Sequence, residues 1–465
     1  ANYFLAVWVF KSDRLKVIVK PAVIYSFLFL LLMSHLVHAW ADATGFRPIT
    51  RISRCYPLFF PLTSKSLMEN LGFKLASQNI KTTNFHDQAD LNYPKKPLEF
   101  NHQIKKNIIF IVLDSWNYQT LNPETMPNLS RFAEKSWQFN HHYSGSNGTR
   151  TGIFSLFYSL PGIYWNDVLA AQTAPIYTRI LSENAYQFYT FPSATLSNPP
   201  FDRTVFSGVS NLLLDVPGAK AHDRDIWITS NYISHLDSTA NQQGKFEFLF
   251  YDGLHAISHP DDFRGKFQPA WQFPKYEALN NTIDPTLYWN LYKNCAQHVD
   301  SLVGKVLQKL EQSGRLKNSV VVITGDHGQE FNENKKNFWG HNGNYSKYQM
   351  QVPLLVYDAS QLPKQFSHFT SHYDIMPSLI SSIFECKNQT SDYCYGKLLT
   401  DTLRAPFLLV GSNDNFAIVE PKRITSVNFD GSFLITDEKL NEDIEAKLDS
   451  RLINQILKEA KVFFK

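Results

Sequence analysis

Cysteine is scarce: four in 465 residues, too few for a disulfide-built scaffold. Charge of one sign is not in excess either. Lys and Arg number 45 against 42 Asp and Glu, a formal charge of +3. That balance excludes an acidic-tail protein and a basic nucleic-acid coat, so no nucleic-acid partner is expected. A mean hydropathy of −0.27 excludes a membrane protein throughout, but leaves room for a single span. No internal repeat is visible. Aromatics, by contrast, are plentiful: 36 Phe, 22 Tyr and 9 Trp, 14% of the chain. With hydrophobic residues at 43% there is ample material for a core, and disorder is excluded for most of the length.

Charge is missing altogether from one stretch. Pro21 to Trp40 holds no Asp, Glu, Lys or Arg. Twenty residues at about 1.5 Å each match the roughly 30 Å hydrocarbon thickness, so a transmembrane helix is expected over 21–40, with Trp40 at the interface. Residues 1–20 read as the end of a preceding span and a basic loop. Lys11, Arg14, Lys16 and Lys20 put that loop in the cytoplasm and the rest of the chain on the far side.

Residues 41–104 read as a membrane-proximal segment and linker. Arg47, Arg51 and Arg54 stand beside Tyr56, Phe59 and Phe60, and Thr63, Ser64, Lys65 and Ser66 suit a helix start. Bases next to interfacial aromatics suit anionic lipid head groups, and a helix start offers N–H donors to a phosphate. A plain linker packed on the soluble domain is the competing reading, and residue types alone do not choose.

Beyond residue 105 strands and helices alternate. Asn107–Leu113 is an apolar run ended by Asp114; Phe246–Tyr251 ends at Asp252; Ser319–Thr324 runs into Gly325-Asp326-His327-Gly328. Continuous apolar runs suit parallel strands buried on both faces. Val299 to Leu310 keeps helical spacing, and helices are expected over about 373–384 and 441–463. The fold class is α/β, a doubly wound, mostly parallel sheet over 105–403 with a small carboxyl-terminal α+β lobe, 404–465, packed on it.

Sites in such sheets form at the carboxyl ends of strands. Asp114, Asp326, His327 and His259 all follow strand ends, a donor set suited to Mg²⁺, Mn²⁺ or Zn²⁺. The turn Ser144–Gly152 supplies hydroxyls, and a hydroxyl beside a cation becomes a nucleophile. Taken singly, each residue has a duller explanation, as a helix cap or a turn; four at strand ends are harder to dismiss.

These residues carry a resemblance. The Asp114 run, Met126-Pro-Asn-Leu129, the Thr149 turn, Ile323-Thr-Gly-Asp-His-Gly328 and His372-Tyr-Asp-Ile-Met-Pro377 together resemble the alkaline phosphatase and sulfatase superfamily, in family order. Ala39-Trp-Ala-Asp-Ala43, Arg47-Pro-Ile-Thr50, Tyr143-Ser-Gly-Ser-Asn147 and Gly152 to Gly162 resemble, more narrowly, the YejM (PbgA) family of inner-membrane sulfatase-like proteins. The resemblance implies Asp114, Asp326 and His327 as ligands of one divalent metal, Thr149 as nucleophile and fourth ligand, and His259 and His341 on the substrate side. Ser115 stands where phosphatases often carry a second Asp, so a two-metal centre is not expected. Arg150, directly after Thr149, departs from the transferases and crowds the nucleophile or binds an anion. The narrower resemblance implies a Gram-negative inner membrane and a periplasmic large domain. It also implies lipopolysaccharide (lipid A) or cardiolipin as ligand, and control of lipopolysaccharide synthesis through a LapB-type adaptor acting with FtsH on LpxC. The alternative is a metal-dependent phosphoethanolamine or glycerophosphate transferase or phosphatase acting on lipids. A true sulfatase is disfavoured, since the turn lacks the Cys/Ser-x-Pro-x-Arg context. In a periplasmic domain Cys386 and Cys394 are expected to form a short-loop disulfide.

Overall fold

The computed structural model describes residues 21–44, 68, 71–72, 91–100, 105–239, 242–405, 407–411, 415–428, 433–443, 445–446 and 449–464. The chain divides into two compact units, 1–85 and 86–465.

In the first unit, Pro21–Thr44 forms a 24-residue helix, α1. Tyr25, Phe27 and Phe29 stand well exposed on it, while Met68 is buried with Ala39 and Ala43. The expected membrane span over 21–40 is met as a helix but not as a span. Among the described residues no helix is long and apolar enough to cross a membrane. Within this helix Ser34 and His35 turn their polar atoms back onto Leu31 O at 2.7 and 2.8 Å.

The second unit is built on a seven-stranded sheet, order β3-β4-β1-β5-β8-β2-β9. Its strands are β1 (Asn107–Leu113), β2 (Trp137–Tyr143), β3 (Gln187–Pro192), β4 (Lys245–Tyr251), β5 (Ser319–Gly325), β8 (Leu354–Asp358) and β9 (Lys364–Ser371). All neighbours run parallel except β8, which is antiparallel to both β5 and β2. β1, β4 and β5 are buried at every position; β1 and β5 are apolar runs without alternation, while β4 also buries Glu247, which is bonded by Tyr232 and His235. Ile108, Phe110 and Val112 enter one core and Ile109, Ile111 and Leu113 the other. The first core takes α3 (Thr149–Tyr158) and α6 (Ile375–Phe384), the second α2 (Pro127–Ala133), α4 (Ala221–Ser238) and α5 (Thr286–Gln312). Helices on both faces make the sheet doubly wound.

A short ribbon pairs β6 (Glu330–Phe331) with β7 (Trp339–Gly340). Toward the carboxyl end, β10 (Leu408–Gly411), β11 (Asn415–Glu420), β12 (Arg423–Asn428) and β13 (Phe433–Thr436) form an antiparallel sheet. The last helix, α7, spans Ser450–Ala460, shorter than the expected 441–463. Asp449 Oδ1 accepts from the N–H groups of Arg451 and Leu452 at 3.1 and 3.0 Å, which fixes the start. The expected Cys386–Cys394 disulfide is absent, and both thiols are free. Cys394 is buried with Sγ 3.4 Å from Gly396 O, whereas Cys386 Sγ is turned to Asn388 Oδ1 at 3.8 Å.

Candidate metal centre

β1 and β5 are neighbours in register, Leu113 opposite Gly325, so Asp114 and Asp326 leave the sheet side by side. Ser115 adopts a left-handed φ of 62°, a conformation a non-glycine residue takes up at some cost. The turn lets its N–H donate to Asp326 Oδ1 at 3.0 Å and its hydroxyl to Asp114 Oδ1 at 2.9 Å. His327 N–H donates to the same Asp326 Oδ1 at 2.8 Å. Asp326 Oδ2 is buried without a hydrogen-bond partner.

His327 is fully buried. Its Nδ1 lies 2.8 Å from Gly328 O, so Nδ1 carries the proton and Nε2 presents a lone pair. Nε2 lies 3.5 Å from both Asp114 Oδ1 and Asp326 Oδ2. Thr149 opens α3, and its Oγ1 stands 3.2 Å from His327 Nε2 and 3.4 Å from Asp114 Oδ2. Gly152 brings this helix in: a Cβ there would sit 2.4 Å from Asp326 O. Gly148 caps the helix with no side-chain bond, leaving first-turn N–H groups for an anion. The four residues expected as ligands are therefore together. Asp114, Asp326 and His327 offer donor atoms within 4.8 Å of one another, and a hard-oxygen set with one imidazole suits a divalent cation.

The charges fit that reading. Burial pushes Asp114 well above the usual carboxylate range, and the Asp326 charge adds to the shift. Burial raises Asp326 to about 7, against the backbone N–H bonds that favour its ionised form. Burial also lowers His327 to about 3 and His341 to about 2. Among the groups around the two crowded carboxyls, His327 and His341 are thus held neutral and supply no compensating charge.

His341 belongs to the site, its ring 4.4 Å from that of His327 and its Nδ1 2.9 Å from Gln329 Oε1. His259 does not: its Nδ1 meets Pro260 O at 2.8 Å and its ring packs 5.5 Å from Phe263. The imidazole that reaches the site from β4 is His255, with its ring 5.2 Å from that of His341. Its Nδ1 bonds Asp252 Oδ1 at 3.0 Å; this partner, opposed by burial, raises it to about 9. Arg224 bonds the other Asp252 oxygen at 2.7 Å. Asp114, Asp252 and His255 form a second group of donor atoms within 4.8 Å of one another. A cavity of about 460 Å³ adjoins, bordered by Asp114, Thr149, Ser193, Arg224, Asp252 and His255. Arg150 is exposed, its guanidinium 5.8 Å from the Trp165 ring centre. Sequence reasoning missed Asp252, His255 and Arg224. Asp252 was marked by its place at the end of β4, and His255 follows it by one turn, nearer the strand than His259. Arg224, on a helix distant in sequence, left no signal.

The residues expected to hold lipid, Arg47, Arg51, Arg54, Tyr56, Phe59, Phe60, Thr63, Ser64, Lys65 and Ser66, lie outside the described residues.

A family model described as Sulfatase matches residues 106–382, and one described as Domain of unknown function (DUF3413) matches residues 2–100. An uncharacterized protein of Haemophilus influenzae is 27% identical over 83% of this chain and 60% of its own length. Inner membrane protein YejM of Salmonella typhimurium is 26% identical over 92% of this chain and 68% of its own. The chain thus spans roughly two thirds of these relatives. Among solved structures, a protein in the alkaline phosphatase superfamily from Vibrio parahaemolyticus superposes with a TM-score of 0.59 at 15% identity, covering 79% of this chain and 89% of that one.

Proposed function

Because this chain belongs to the sulfatase family, we propose that it is a membrane-attached member that binds a phosphorylated lipid and restrains lipopolysaccharide synthesis, its globular unit keeping a one-cation centre. The observation that carries this reading is the joint match. One similarity to an inner membrane protein runs through 92% of the chain, across both the membrane-proximal segment and the sulfatase unit. The exposed apolar residues of α1, Tyr25 to Met33, favour attachment to a bilayer. The ligand is lipopolysaccharide, through lipid A, or cardiolipin, held near Arg47, Arg51, Arg54 and Thr63 to Ser66. The membrane is a Gram-negative inner membrane, with the globular unit in the periplasm. Control passes through a LapB-type adaptor and FtsH to LpxC.

One divalent cation, Mg²⁺, Mn²⁺ or Zn²⁺, fits Asp114, Thr149, Asp326 and His327, because the buried Asp326 Oδ2 otherwise has no hydrogen-bond partner. Bound there, it supplies Lewis acidity that makes a neighbouring hydroxyl easier to deprotonate. A second reading follows: transfer or hydrolysis of a lipid phosphate ester. Thr149 at the helix start is the nucleophile, first-turn N–H groups bind the ester oxygens, and protonated His255 donates to the leaving oxygen.

Replacement of the chromosomal copy by Thr149→Ala distinguishes the two. Normal lipopolysaccharide levels in that strain, with lipid A or cardiolipin copurifying, support the regulator. Loss of control together with loss of p-nitrophenyl phosphate turnover supports the enzyme. Control lost on deleting the gene is the starting condition; if deletion leaves LpxC levels unchanged, the regulatory reading fails.

A further inference from the structure

A separate cavity of about 540 Å³ lies between the β2–β9 edge of the large sheet and the β11–β12 side of the small one. That volume is in the range of small-molecule sites. One wall is aromatic: Tyr143 at the end of β2 and Phe369 on β9 lie 5.1 Å apart, tilted by 34°. Tyr348 and Phe407 add further rings, and all four are only half-buried. Ring faces left against an open cavity forfeit dispersion contacts that an occupant would restore.

The charges around the rim decide what kind of occupant. Lys347 and Lys439 share the rim with Glu438 and with Glu420, which is paired to Arg423 at 3.9 Å, so acidic and basic groups are mixed and no single sign dominates. This contrasts with the metal centre, and it disfavours an anion or a cation as the ligand. Aromatic faces beside a balanced set of donors and acceptors match a molecule with a C–H face and a hydroxyl rim. We propose that this cavity binds a neutral sugar ring, its C–H face against Tyr143 and Phe369 and its hydroxyls bonded by the two glutamates and two lysines. The cavity also touches a segment that braces the nucleophile turn. Tyr345 and Tyr348 line it, while just before them Asn342 N–H donates to Asn147 O at 2.9 Å and Asn344 O accepts from Asn147 Nδ2 at 2.9 Å. The proposal does not depend on the metal centre.

The test is saturation-transfer NMR on the full chain in a sugar-free detergent, with methyl β-glucoside and methyl N-acetyl-β-glucosaminide as probes and inorganic phosphate as competitor. The expected result is transfer to the sugar C–H protons, with a dissociation constant on the order of 1–10 mM, and no displacement by phosphate. Phe407→Ala weakens binding by about tenfold or more. Because that variant removes a packed ring, a second one, Glu438→Gln with Lys439→Gln, changes only exposed side chains and weakens binding without altering the melting temperature. No transfer at about 50 mM sugar, an unchanged signal in the double variant, or displacement of the sugar by phosphate would overturn the proposal.

Discussion

Asp326 concentrates the physics of the site. One carboxylate oxygen is held by two backbone N–H groups and the other has no hydrogen-bond partner. Asp326→Asn keeps the first pair of bonds and places an N–H donor 3.5 Å from the His327 Nε2 lone pair. The cation-free variant is expected to gain on the order of 1–3 kcal/mol at pH 8, read by urea unfolding. Its cation affinity should fall by more than the roughly 10–100-fold that loss of an outer-shell partner costs. Acid works in the same direction. Asp114 and Asp326 are both raised, Asp326 to about 7, so each binds its proton more tightly folded than unfolded. The contribution of Asp326 to the stability of cation-free protein is therefore lost as pH rises from about 4 to about 7, and Asp114 acts in the same direction. Cation affinity runs the other way and should drop steeply between pH 8 and pH 6; a flat affinity profile by calorimetry would contradict the assignment. Asp114, Asp326 and His327 were legible in the sequence because each ends an apolar run. His255 was not, because a histidine four residues later in Ser258-His-Pro260 offered a more familiar pattern.

At the scale of elements, the site depends on α3 lying against the end of β5. Gly152 permits it, since any Cβ there would meet Asp326 O at 2.4 Å. Gly152→Ala should cost about 1–3 kcal/mol and move Thr149 away from His327, so that thermal stability and cation affinity fall together. Retention of both would show that the helix has room to shift. The alternation of strands and helices was readable from apolar runs such as Asn107–Leu113. The reversed direction of β8 was not, because Val352-Pro-Leu-Leu-Val-Tyr357 has the same composition whichever way it runs. The last helix was overestimated for a local reason: the Asp449 cap outweighs the helical spacing read upstream of it.

At the scale of the whole molecule, the proposed lipid site is tested through its bases, Arg47, Arg51, Arg54 and Lys65. Each surface base contributes about 1 kcal/mol toward anionic lipid. Combined Ala substitution at Arg47, Arg51, Arg54 and Lys65 should therefore weaken lipid A or cardiolipin binding strongly and in a salt-dependent way, without affecting the metal centre. Equal affinity of variant and wild type would place the lipid elsewhere. The central claim is the cation itself, and titrating Mn²⁺ into the cation-free full chain, with free Mn²⁺ read by electron paramagnetic resonance, tests it most directly. About one tightly held equivalent per chain is expected at pH 8, weakened by Thr149→Ala and abolished by Asp326→Asn. Binding that is absent, or that survives Asp326→Asn undiminished, would contradict it.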